Sequence, residues 1–269
     1  MKAEGQLLFL GTGGSMGVPV IGCSCDVCTS PSHYNKRRRS SVLLTVADQR
    51  LLVDCGPDFR DQALTFGIKE LDGVILTHAH NDHIAGIDDL KVYCLHSGRP
   101  LPCLLSPETE KDLRIRYGYL FEEREPYAGM MTRFGMQQLE RKRGNVVFQG
   151  VYISYFSYQQ LQMRVDGYRL GDIAYVSDIK DYSPTILEDL KGVRTLVLSA
   201  LRFKPSPMHF TVDEAVEFSR QVGAEKTWLM HVAHEMDHAA ANAYLPKNVR
   251  LAYDGLQIGF EAEVVNGNI

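Results

Sequence analysis

Thr77-His78-Ala79-His80-Asn81-Asp82-His83 follows directly on the apolar run Gly73-Val74-Ile75-Leu76. A continuous apolar run of this kind predicts a strand, at about 73–77, buried on both faces. Four side chains able to bind a metal crowd into six residues at its mouth, and they use three of the nine histidines in the chain. A solvated polar loop has no need of that concentration. In extended backbone His78 and His80 project to the same side, whereas the neighbours Asp82 and His83 point apart. One pair can then hold one metal and the other pair a second. Imidazole with carboxylate suits zinc, manganese or iron.

Working outward, Cys23-Ser24-Cys25-Asp26-Val27-Cys28 gives a C-x-C-x2-C run. In a reducing compartment so tight a cluster reads as a metal site before a disulfide. Three thiolates are one short of a tetrahedral zinc shell. His234, three residues after His231, is available as the fourth ligand. Such a site is closed and structural. One Zn2+ there ties the N-terminal loop to the loop that carries His231. Cys25 and Cys28 also have the spacing of a redox dithiol, but Cys23 favours zinc. The remaining cysteines, Cys55, Cys94 and Cys103, stand apart in apolar surroundings and read as small core residues.

The chain has 269 residues, 45% of them hydrophobic and 23% charged, with a net charge of −4. That fits one α/β domain spanning 1–269 with a large core. The charge balance argues against a nucleic-acid partner. The basic runs Lys36-Arg37-Arg38-Arg39 and Arg141-Lys142-Arg143 read as solvated surface. The apolar run Leu7–Leu10 is too short for a signal-peptide core, and no stretch approaches the roughly 18 apolar residues of a membrane span. A cytoplasmic protein with no membrane partner is the expectation.

Further strands are predicted at about 6–10, 42–46, 50–54, 146–157, 173–177, 195–199 and 227–230. Helices are predicted at about 84–96, 183–190 and 211–222, the last opened by an approximate capping box of Thr211 and Glu214. Asp254-Gly255 between two final strands is a hairpin signal. Residues 108–143 are polar and mixed, and read as one or two helices and a long loop covering the site. Strands and helices mixed in this way suit two packed sheets with helices outside.

The HxHxDH run resembles the signature of the metallo-β-lactamase superfamily. The resemblance implies an αββα sandwich of two mixed sheets, with metals held by loops at one edge. It assigns His78 and His80 to a first metal and Asp82 and His83 to a second. Asp178, in Tyr175-Val176-Ser177-Asp178, takes the place of the carboxylate that bridges both, and His231 that of a last ligand. The cysteine run narrows the resemblance to the PhnP-like branch, phosphodiesterases that open cyclic phosphates. It extends through Gly11-Thr12-Gly13-Gly14, Asp54-Cys55-Gly56-Pro57-Asp58-Phe59-Arg60, Gly167-Tyr168-Arg169, Ala200-Leu201-Arg202, Met208-His209-Phe210 and Ala252-Tyr253-Asp254-Gly255. His209 matches a catalytic histidine beside the substrate phosphate.

One position departs from the pattern. The resemblance calls for a further histidine, a ligand of the first metal, before Gly167-Tyr168-Arg169. This chain has Tyr158-Gln159-Gln160-Leu161 there, with Gln160 the better match by spacing and Gln159 the alternative. A neutral amide oxygen is a weaker ligand that suits harder cations. The first site is therefore expected to be weak, to prefer Mn2+ or Mg2+, or to stay empty.

The function implied is hydrolysis of a small, cyclic phosphodiester through a metal-activated hydroxide. Asp82 and His209 are the catalytic candidates, served by one or two catalytic divalent ions, Zn2+ or Mn2+, besides the structural zinc. Relatives of this kind often pair as homodimers. The alternatives are an RNase Z-like nuclease, which shares HxHxDH, and a diverged, non-catalytic PqqB-like protein, which the missing histidine supports. A lactonase or thioesterase is a weaker enzymatic alternative.

Overall fold

A computed structural model of the chain describes residues 1–121 and 133–265. Two seven-stranded sheets form its centre. The first contains β1 (Lys2–Gly11), β2 (Ser41–Val46), β3 (Gln49–Val53), β4 (Gly73–Ile75), β5 (Leu101–Leu105), β6 (Phe134–Gln138) and β14 (Gln257–Glu263), in the order β14-β1-β2-β3-β4-β5-β6. The second contains β7 (Arg143–Phe148), β8 (Val151–Gln160), β9 (Met163–Leu170), β10 (Ile173–Val176), β11 (Thr195–Ser199), β12 (Lys226–Met230) and β13 (Val249–Leu251), in the order β13-β12-β11-β10-β9-β8-β7. Each sheet is antiparallel in one half and parallel in the other: β3 to β6 run parallel in the first, β10 to β13 in the second.

Three apolar clusters account for the layers. Leu7, Phe9, Leu51, Ile75, Phe148, Ile153, Tyr168 and Met230 interdigitate between the sheets. Val74, Leu76, Phe59, Ile84 and Leu90 pack the outer face of the first sheet against its helices. Leu196, Leu198, Phe218 and Leu229 do the same for the second. Thus β4 alternates Val74 outward and Ile75 inward with both faces buried, which is why its sequence is an unbroken apolar run. This is the αββα sandwich expected. Cys55, Cys94 and Cys103 are buried in the first sheet's outer layer, as read from the sequence. Among the described residues no helix is long and apolar enough to cross a membrane.

Several local expectations are corrected. Asp254-Gly255 does not close a hairpin: β13 pairs with β12 in one sheet and β14 with β1 in the other. The turn carries the chain across the sandwich, and Asp254 accepts hydrogen bonds from Thr12 Oγ1 (2.8 Å) and the Arg38 amide (2.8 Å). The single helix expected at 84–96 is broken into Asn81–Ile84, a 3-10 turn at Ile87–Leu90 and Lys91–Ser97. The break lets the chain fold under Cys55, whose carbonyl accepts from the Gly86 amide at 2.9 Å. Within 108–143 there is a helix, Pro107–Arg116, but also the edge strand β6; residues 122–132 lie outside the described part. Strand β9 has no counterpart among the predicted strands, because Arg164, Asp166 and Arg169 hide its apolar positions, Val165, Tyr168 and Leu170. The helix Val212–Val222 has the full capping box of Thr211 and Glu214.

The run Lys36–Arg39 is not simple solvated surface. Arg37 is buried, donating to Thr12 Oγ1 (2.8 Å) and the Ala252 carbonyl (2.6 Å), Arg38 pairs with Asp61, and Arg39 pairs with Asp58.

The loops after β3 and β4 approach so closely that Gly56 has no room for a side chain: a Cβ there would lie 2.1 Å from the Asp82 carbonyl oxygen. Gly56→Ala is therefore expected to destabilise the fold by about 1–3 kcal/mol or more, measured by denaturant unfolding. An unchanged midpoint would show that this contact is not tight.

Candidate active site

The site sits where parallel strands end, the usual place for ligands in sheets with crossover helices. β4 leads into His78 and His80, β10 into Asp178 and β12 into His231. The end of β4 is anchored by the other sheet: buried Tyr168 donates to the Leu76 carbonyl at 2.8 Å, and the Asp166 amide to the Thr77 carbonyl at 2.9 Å. Asp178 and His231 have positive φ (50° and 59°), a left-handed conformation that costs a non-glycine residue energy and that collects at functional sites. It turns each side chain off its strand end toward the centre.

His78 Nε2 stands 3.0 Å from His80 Nδ1, so this pair converges as alternation in extended backbone predicts. Asp82 and His83 do not point apart. They lie in the one-turn helix Asn81–Ile84, where successive side chains are turned by about 100° rather than 180°, and Asp82 Oδ2 is 3.5 Å from His83 Nε2. His231 Nε2 completes the group, 3.2 Å from Asp82 Oδ2 and 3.3 Å from Asp178 Oδ1. The other oxygen of Asp178 is 3.7 Å from His78 Nε2. Asp178 therefore lies between the two halves of the cluster.

Gln160, at the end of β8, is buried in the site with its amide nitrogen 3.2 Å from Asp178 Oδ2 and 3.2 Å from His209 Nδ1. Gln159 is exposed, and its backbone pairs with Asp181. His209 stacks on His231 with ring centroids 4.9 Å apart and is only partly buried, so it faces both the cluster and solvent.

The electrostatics follow from putting carboxylates and imidazoles together out of water. Burial disfavours charge on Asp178 and Asp82, but the surrounding histidines outweigh it and hold both carboxyls far below the usual range. Burial likewise opposes charge on His83, yet Asp54, Asp82 and Asp178 push it well up. His78 is pushed well down by burial and by His83. Burial lowers His209 to about 4, against the pull of Asp178.

Two residues that matter here were given no role from sequence. Asp54, fully buried with a φ of 62° at the end of β3, accepts from His83 Nδ1 (2.7 Å), the Thr77 amide (2.9 Å) and Thr77 Oγ1 (2.9 Å). Thr77 Oγ1 in turn is 2.9 Å from His78 Nδ1. Together they hold two imidazoles by one nitrogen and leave the other directed at the centre. A buried acid directly after an apolar strand was the available signal.

The residues present fit a cation on one side of this centre. His83 Nε2 is buried without a hydrogen-bond partner, and it points between Asp82 Oδ2 (3.5 Å) and Asp178 Oδ1 (3.6 Å). With His231, that makes two carboxylate oxygens and two ring nitrogens around one point. A second cluster joins distant parts of the chain. Cys23, Cys25 and Cys28 place their sulfurs 3.3, 3.5 and 3.6 Å from His234 Nδ1. A tetrahedron of sulfur and nitrogen around zinc has S–N edges of about 3.5 Å. The Cys28 amide, followed by His234, lowers Cys25 to about 6, which favours the thiolate a metal needs.

Comparison with known proteins agrees with the fold. Residues 49–232 match the family described as the Beta-lactamase superfamily domain. A crystal structure described as a new diphosphatase from the PhnP family superposes with a TM-score of 0.90 at 34% identity, covering 97% of this chain and 99% of that one. The octanoyltransferase of Porphyromonas gingivalis is 36% identical over 257 residues, which cover 94% of this chain but only 51% of that protein. The chain thus spans about half the length of that relative, whose name describes the whole. A ribonuclease Z from a Bradyrhizobium strain is 37% identical over 87 residues, 32% of this chain.

The fold and the match over most of its length make this chain a member of the metallo-β-lactamase superfamily. Within that superfamily it belongs to the PhnP-like branch.

Asp54 is the group that orients His83. Asp54→Asn is expected to weaken divalent-metal binding at the histidine cluster about 10- to 100-fold, read by competition with a chelating dye. Unaltered affinity would remove Asp54 from that role.

Proposed function

We propose that this chain is a metal-dependent phosphohydrolase that cuts a phosphodiester, or the closely related diphosphate linkage, in a small molecule. The observation that carries this reading is a ring of contacts, each 3.2–3.6 Å, in which His83 Nε2 and His231 Nε2 each face both Asp82 Oδ2 and Asp178 Oδ1. The similar diphosphatase supports a phosphoryl substrate, since both bond types place one leaving oxygen on a phosphorus centre.

Asp82, His83, His231 and Asp178 would hold a catalytic divalent ion, Zn2+ or Mn2+. Bound there, the ion would offset charge on the phosphoryl group and make water acidic enough to attack near neutral pH. The chain's own groups do the rest. Asp82 contacts both His83 and His231 and keeps them convergent. Asp178, held by Gln160 on its far oxygen, keeps its near oxygen on the ion side. His209 lies at the rim, where its ring, kept neutral by burial, can donate an N–H to a phosphoryl oxygen as charge develops there. Cys23, Cys25, Cys28 and His234 would hold one structural zinc. Through these four ligands the N-terminal loop would be clamped to the backbone beside His231, where Gly14 already donates to the Val232 carbonyl at 3.0 Å. The nuclease reading is weaker, because Arg38 and Arg39 of the first basic run are engaged by Asp61 and Asp58.

The test is hydrolysis by the metal-loaded protein of three substrates: a cyclic nucleotide phosphodiester, a dinucleoside diphosphate and a precursor tRNA. Turnover of either small substrate, lost by about 10³-fold or more in Asp82→Ala, is the expected result. Cleavage of the tRNA alone would replace this reading with the nuclease, and wild-type rates in Asp82→Ala would remove Asp82 from catalysis. For the cysteine cluster, Cys25→Ser is expected to lose one zinc per chain by elemental analysis and to lower the melting temperature. Full zinc content in that variant would overturn the assignment.

A further inference from the structure

The two halves of the histidine cluster are not equivalent, and the difference lies at Gln160. On one side Asp178 Oδ1 faces His83 Nε2 and His231 Nε2, at 3.6 and 3.3 Å. The Nδ1 of His83 is committed to Asp54 at 2.7 Å, so its Nε2 is left for the centre, with no hydrogen-bond partner of its own. On this side Asp178 Oδ1 accepts from the Ser177 hydroxyl (3.0 Å) and Asp82 Oδ2 lies 3.2 Å from His231 Nε2, so His83 Nε2 is the atom facing the centre that is left without a hydrogen-bond partner.

On the other side the ring nitrogens and the Asp178 oxygen are engaged by neighbouring side chains. Thr77 Oγ1 donates to Asp54 and can therefore accept from His78 Nδ1–H, which leaves His78 Nε2 facing His80 Nδ1 at 3.0 Å. One ring can donate to the other there. Asp178 Oδ2 is 3.2 Å from the Gln160 amide nitrogen, and that nitrogen also reaches His209 Nδ1 at 3.2 Å. The orientation of the amide is dictated by chemistry, because an amide oxygen turned toward a carboxylate would be repelled and the NH2 is attracted. The Gln160 oxygen is buried and unpartnered as a result. Among the described residues, a cation on this side would meet His78, His80, an Asp178 oxygen already engaged by the Gln160 donor, and His209, whose Nδ1 lies 3.7 Å from that oxygen but is itself within reach of the Gln160 NH2. To supply an oxygen ligand, Gln160 would have to turn its amide over and give up both Asp178 and His209.

We infer that the centre holds one cation tightly, on the Asp82–His83–His231 side. Gln160 closes the other side by spanning Asp178 and His209, a positioning residue rather than a metal ligand. The inference rests on the cluster being a metal centre, as proposed above. It goes further in giving the site a single strong metal position and in giving Gln160 a role. It also leaves the half-buried His80 available to a substrate's phosphoryl oxygens.

The full-length protein, stripped and then restored with zinc at the cysteine cluster, is titrated with Mn2+. Electron paramagnetic resonance and elemental analysis are read together. Wild type is expected to reach about two metals per chain, one of them zinc, and to show the signal of an isolated Mn2+ ion. Gln160→His, and the isosteric Gln160→Glu, are each expected to reach about three, with at least a ~10-fold gain in affinity for the additional ion and the signal of a spin-coupled pair. A coupled pair in wild type at similar affinities would overturn the inference and leave the hydrolase reading intact. A count that never rises above the single zinc would overturn both. Because the wild-type arm decides between these outcomes, a variant that fails to fold does not protect the inference.

Discussion

A carboxylate removed from water, Asp54, holds this centre together. It lies at the end of β3, and its two oxygens take up the Thr77 amide, the Thr77 hydroxyl and His83 Nδ1. It thereby joins the ends of two parallel strands to the short helix that follows the second. A buried carboxylate that lost these partners would be strongly unfavourable, so the loops cannot move apart without exposing it. The convergence of His83 with Asp82, and of His78 with His80, depends on that constraint. Gly56 and Gly86 let the backbones approach as closely as the constraint demands.

The second sheet contributes the opposite half of the site through residues held against their backbone preference. Asp178 and His231 both leave their strands in the left-handed region. Each is kept there by burial and by the charges it faces. Two carboxylates and several imidazoles are thus gathered at the seam of the sandwich, where neither sheet alone would place them. Hydrogen bonds from one sheet to the other, such as Tyr168 to the Leu76 carbonyl, keep the halves in register. The cysteine cluster adds a tie far from the seam in sequence but next to it in space, since His234 follows His231 by three residues.

Asymmetry within the centre comes from one side chain. Gln160 is close in size to a histidine and occupies a buried position at the end of β8, yet it brings N–H donors to a place where a lone pair would bind a metal. The same replacement that gives the site its unequal halves also connects the shared carboxylate to His209.

Much of this was legible in the linear chain. The buried strand before His78, the convergence of His78 and His80, the C-x-C-x2-C run with His234, and the capped helix Val212–Val222 are local patterns, and local periodicity is what a sequence displays. Asp178, His209, His231 and Gln160 were identified only through resemblance, because they are single residues from separate strand ends with no local pattern. The turn at Asp254-Gly255 reads as a hairpin, but it crosses between sheets, since turn chemistry says nothing about which strand is the neighbour. The meeting of Asp82 with His83 needed a helical turn that only the packing beneath Cys55 enforces. Sequence alone therefore determined the residue types and the layers of the fold. The roles of Asp54 and Gln160 were decided by tertiary structure, because each acts through partners about 20 to 50 positions away that only the packed sheets bring within hydrogen-bond reach.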